Sequence, residues 1–80
     1  MHTIANHISV DKNVQFGKPV FKGTRVPVQS LFWHLEKGIP LDDFLQDFPG
    51  VNKKDAEAVI EWTAKRFEAP EIIFDETFIG

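Results

Sequence analysis

The stretch that most constrains this chain is Gly17-Lys18-Pro19-Val20-Phe21-Lys22-Gly23-Thr24-Arg25-Val26-Pro27-Val28. Two β-prone runs, Val20-Phe21 and Arg25-Val26, flank Lys22-Gly23. A glycine at the second loop position supplies the positive φ that a tight hairpin turn needs. Pro19 and Pro27 bracket the pair, and because proline has no N–H to give a ladder, pairing is expected only between them. Pro27 also fixes φ just ahead of a helical pattern that starts at Val28. The segment therefore reads as a β-hairpin that ends the sheet and launches a helical body.

Upstream, Ile8-Ser9-Val10 alternates apolar and polar residues like a short, edge-type strand, and Asp11-Lys12-Asn13 reads as a turn. Phe16 is expected to cover the base of the core. β-segments this short do not stand alone, so helices or a second subunit must pack against them.

Three helices follow. Val28, Leu31, Phe32 and Leu35 make one apolar stripe, closed by Lys37 and a C′ glycine, Gly38. Trp33 lies off that stripe, as a lid over the β-segments or as a protein contact. Leu41, Phe44, Leu45 and Phe48 form the second stripe. Pro40 stands where Ser or Thr would normally cap, and Asp42 and Asp43 complement the helix dipole. Pro49-Gly50 stops this helix, and Val51 is expected to tuck under the turn. Asn52 with Asp55 has the spacing of a capping box for a third helix from Lys53 to about Phe67. Its inner face is Ala56, Val59, Ile60, Thr63 and Phe67, with Lys54, Ala58, Glu61 and Lys65 opposite. The fold class is thus mainly α: a trihelical, helix-turn-helix-like domain preceded by a short N-terminal strand and β-hairpin. The 80 residues make one domain, with β-segments over 8–28, the three-helix part over 28–67 and an apolar tail over 68–80.

A chain of 80 residues without cysteine has neither disulfides nor thiolate metal sites, and stability must come from its core or a partner. No run approaches a membrane span and the first residues do not resemble a signal peptide, so a cytoplasmic protein is expected. His2, His7 and His34 have no zinc spacing, and His34 reads as a surface residue on a helix flank. No serine or histidine lies in a nucleophile setting. Neither catalysis nor a cofactor is expected.

Charge is unevenly spread. Residues 1–28 carry Lys12, Lys18, Lys22 and Arg25 against Asp11, giving +3; the remainder carries five basic and eleven acidic residues, giving −6. A polyanion would meet the hairpin end most easily. The third helix occupies the recognition position of a helix-turn-helix, yet Lys53, Lys54, Lys65 and Arg66 are balanced by Asp55, Glu57, Glu61 and Glu68. DNA binding is accordingly expected from a dimer, through Lys53 and Lys54 together with Lys22 or Arg25. The Lys22–Arg25 loop lacks phosphate-loop glycine spacing and reads as a turn with solvated cations. In the tail, Ile72, Ile73, Phe74, Phe78 and Ile79 are apolar surface beyond a complete helical core. Partner capture, a second copy and folding back over the first helix are the alternatives there.

The Gly17–Val28 stretch resembles the G-K-P-V-I-K-G-T-R-I-P-V signature of a bacterial family catalogued as domain of unknown function 433. Leu35-Glu36-Lys37-Gly38 and Asp42-Asp43-Phe44-Leu45-Gln46-Asp47-Phe48-Pro49 are similar to its helix, glycine, acidic helix and "D-[YF]-P" turn. The likeness runs from about Ile8 to Phe67 and departs at Pro40, where members usually carry Ser or Thr, and in the tail. It implies a homeodomain-like or winged-helix-like trihelical fold whose hairpin often helps form dimers. It also implies that many members act as antitoxins, encoded beside a small PIN-like ribonuclease toxin that they neutralise. The leading expectation is therefore an antitoxin-type protein that binds a toxin through its tail and helices and binds operator DNA mainly as part of the complex. The competing class is a homodimeric helix-turn-helix regulatory or protein-interaction module without a toxin partner.

Overall fold

A computed structural model describes residues 4–68. A 3-10 turn, Ile4–Asn6, leads into strand β1, Ile8–Ser9, and a second short turn, Gln15–Gly17, precedes strand β2, Val20–Phe21. Three helices follow: α1, Val28–Glu36; α2, Leu41–Asp47; and α3, Lys53–Arg66.

β1 and β2 are antiparallel, with Ile8 opposite Phe21 and Ser9 opposite Val20. On its other side β2 meets the returning hairpin arm. The Phe21 N–H donates to the Val26 carbonyl and the Val28 N–H to the Pro19 carbonyl, each at 3.0 Å, with Val20 and Pro27 facing each other between them. Pro27 occupies the position of an antiparallel pair that needs no N–H, which is why proline is tolerated here. Pairing thus reaches both prolines instead of stopping short of them.

The connection is also wider than a two-residue turn. The Thr24 N–H closes a β-turn on the Phe21 carbonyl, with Gly23 at φ +75°. The Thr24 hydroxyl donates to that same carbonyl at 2.8 Å and accepts from the Val26 N–H at 3.0 Å. One side chain bridges the mouth of the loop, so Arg25 takes no ladder bond and is exposed.

The core is Phe21 of β2, Leu31 of α1, Phe44 of α2, Val51 of the α2–α3 connection, and Ala56 and Val59 of α3, flanked by Ile8, Val28, Phe32, Leu35, Leu41, Leu45 and Ile60. The three expected helical stripes therefore point inward except at Phe67, and Val51 is buried beneath the α2–α3 turn as its sequence position suggests. α1 ends in a Schellman motif: the Ile39 N–H donates to the His34 carbonyl, the Gly38 N–H to the Leu35 carbonyl, and Gly38 has φ +78°.

Other expectations need correction. Phe16 is 96% exposed and covers nothing; with Gln15 it adopts positive φ, 57° and 52°, in a left-handed turn that swings its ring into solvent. Phe67 caps α3 from outside the core, 58% exposed. The capping box is incomplete. The Asn52 side chain accepts from the Lys54 N–H at 2.9 Å, whereas the Asp55 carboxylate is engaged elsewhere. His34 is no surface residue: its ring meets Phe44 and Phe48 edge-on, with centroids 5.1 and 5.7 Å away. Its Nδ1 lies 2.7 Å from the Ser30 carbonyl, and because a carbonyl only accepts, Nδ1 carries the proton.

Candidate functional site

The α3 face opposite the core is partly covered. Residues Ile4–Asn6 pack on that side, leaving Ala58 half-buried. His7, next in the chain, donates from Nδ1 to Asp55 Oδ1 at 2.8 Å, tying the start of β1 to the first turn of α3. No sequence spacing announces this contact, because 48 residues separate the partners.

That tie brings the expected DNA-binding residues into one region. The Lys22 N–H donates to the His7 carbonyl, and Lys54 lines a small groove beside the His7 ring. On the other side of the hairpin turn, the Thr24 methyl lies 4.0 Å from where a Cβ on Gly50 would sit, so the turn rests against the α2–α3 connection. Lys22, Arg25, Lys53 and Lys54 are all exposed at this end of the molecule. Lys53 shares it with Asp42, whose carboxylate is 3.7 Å from the ammonium; both groups are mostly solvated, so the pair does little to quench the positive charge.

Elsewhere an apolar groove of about 480 Å³ opens between the β-segments, α1 and α3. Ile8, Val28, Phe32, Val59 and Trp62 wall it, and Lys18 stands on its rim. Phe32, not Trp33, is the α1 aromatic beside the β-segments. Trp33 is half exposed and does not line the groove. The remaining partner candidates, Ile72, Ile73, Phe74, Phe78 and Ile79, and also His2, lie outside the described residues.

Trp62 is the residue that sequence reading overlooked. It is 39% exposed, borders both the large groove and the smaller one near His7, and carries the Arg66 guanidinium 4.5 Å above its ring. Its spacing three residues after Val59 placed it at the edge of the α3 stripe, a signal that was available. Among the described residues no helix is long and apolar enough to cross a membrane.

Residues 8–62, more than half of the chain, match the family model described as "Protein of unknown function (DUF433)". No curated protein and no solved structure matches the chain.

Proposed function

The chain belongs to the DUF433 family, and from that premise we propose that it is an antitoxin-type protein that captures a small PIN-like ribonuclease and contacts operator DNA as a dimer or within the complex. The observation that carries this reading is the separation of two kinds of surface. Lys22, Arg25, Lys53 and Lys54 gather where the hairpin turn meets the α2–α3 connection, and none of them lines the large apolar groove.

Exposed apolar surface on so small a domain favours protein capture, and cations beside a helix-turn-helix connection favour phosphate contacts. α3 itself is charge-balanced, so one copy alone supplies little of the electrostatic affinity that DNA binding requires. The acidic excess over residues 29–80 suits attraction of a basic nuclease, and the association is expected to weaken with salt.

The test is recovery of the tagged protein from its native host, with mass spectrometry of what co-purifies. A stoichiometric small nuclease is the expected result. Recovery of the chain alone, from cells that express the neighbouring genes, overturns the antitoxin reading in favour of a homodimeric regulatory or interaction module.

A further inference from the structure

We propose that in the free protein the segment 71–79 occupies the apolar groove of its own chain. The groove's walls, Ile8 of β1, Val28 and Phe32 of α1, and Val59 and Trp62 of α3, offer a ligand almost no hydrogen-bonding groups. Water gains little there, whereas an apolar side chain removes the exposed surface of both partners. The occupant is therefore apolar, and three observations choose this segment.

The first is position. Trp62 and Thr63 border the groove within the last two turns of α3, so the helix delivers the following chain beside the groove. Pro70 cannot extend the helical ladder. Twelve residues follow Glu68, and an extended run of eight spans about 26 Å, enough to traverse a groove on a small domain.

Chemistry is the second. In an extended segment Ile72 and Phe74 project from one face and Glu71 and Asp75 from the other, with Phe78 beyond a break at Glu76. Glu71 and Asp75 are opposite in charge to Lys18 on the rim.

The third is tethering. A segment joined to the groove's edge by a few residues has an effective concentration in the millimolar range, well above that of a second copy at micromolar protein. The segment fills its own groove first. A partner that takes up the segment must then draw it out, exposing Trp62. This inference does not rest on what the partner is.

The chain has no cysteine, so an engineered pair reports on proximity without background. The full chain carrying Thr63→Cys with Phe74→Cys is compared with Ala64→Cys with Phe74→Cys under mild oxidation at micromolar concentration. The tether differs by one residue, but Thr63 borders the groove and Ala64 is exposed, about 100° around the helix. The Thr63 pair is expected to form an intrachain disulfide about tenfold faster. Equal rates overturn the proposal, as do cross-linked dimers, which would assign the groove to a second copy. A second reading uses the Trp33→Phe chain, where Trp62 is the remaining tryptophan. Adding Ile72→Asp and Phe74→Asp should raise iodide quenching of Trp62; unchanged quenching overturns the proposal.

Discussion

His7 Nδ1 sits 2.8 Å from Asp55 Oδ1, joining residues 48 positions apart. Both side chains are largely but not fully buried, at 25% and 18% exposure. The contact clasps the N-terminal segment onto α3, and it holds the Asp55 carboxylate over the helix's first turn, where a negative charge is favoured by the dipole. His7→Gln or Asp55→Asn should destabilise the fold by about 1 kcal/mol, with the double variant costing less than the sum of the singles. Urea denaturation of the four proteins measures the cycle; strict additivity would show that the two side chains do not interact.

Two glycines should behave oppositely. Gly38 holds φ +78° in the Schellman motif that turns the chain from α1 into α2, so Gly38→Ala should cost about 1 kcal/mol and lower the melting temperature by several degrees. Gly50 is not in that conformation, and a Cβ there meets only the Thr24 methyl at an ordinary 4.0 Å. Gly50→Ala should be neutral or stabilising by up to about 1 kcal/mol, through the lower entropy of the unfolded chain. Parallel thermal melts compare the pair.

Phe44 and Phe16 provide a second contrast, between two aromatics that look equally apolar in the sequence. Phe44 is fully buried against Phe21 and Phe48, with ring centroids 6.1 and 5.0 Å away. Phe44→Ala should cost about 3–5 kcal/mol, enough to leave so small a domain largely unfolded. Phe16→Asn removes an exposed ring and puts a residue tolerant of positive φ at a left-handed position, so the melting temperature should hold or rise. Circular dichroism melts suffice, and a large loss at Phe16 would mean that its ring is covered after all.

For DNA, Lys54→Gln in the operator-bound assembly should weaken binding similarly for cognate and unrelated sequences. It should also reduce the slope of log affinity against log salt by about 1. Fluorescence anisotropy across a salt series reads both. No DNA binding at micromolar protein and low salt, by the chain or by its complex, would remove operator contact from the proposed function.

The sequence by itself determined the elements. Stripes spaced at three and four residues marked the three helices, Gly38 and Pro49-Gly50 marked their ends, and Val20-Phe21 with Gly23 and Pro27 marked the hairpin. These signals are local: they rest on φ preferences and on one-sided burial, which a chain carries wherever it is placed. Most of the core follows from them, since Phe21, Leu31, Phe44, Ala56 and Val59 lie where periodicity puts them. What only tertiary structure decided was how those faces meet. Sequence alone could not bring His7 to Asp55, enclose His34 between Phe44 and Phe48, or leave a groove bordered by Trp62. Each depends on the relative placement of elements distant in the chain. Phe16 shows the limit most plainly: hydrophobicity argues for burial, but two left-handed residues and a hydrogen bond from the Gln15 side chain to the Arg25 carbonyl fix a turn that aims its ring outward.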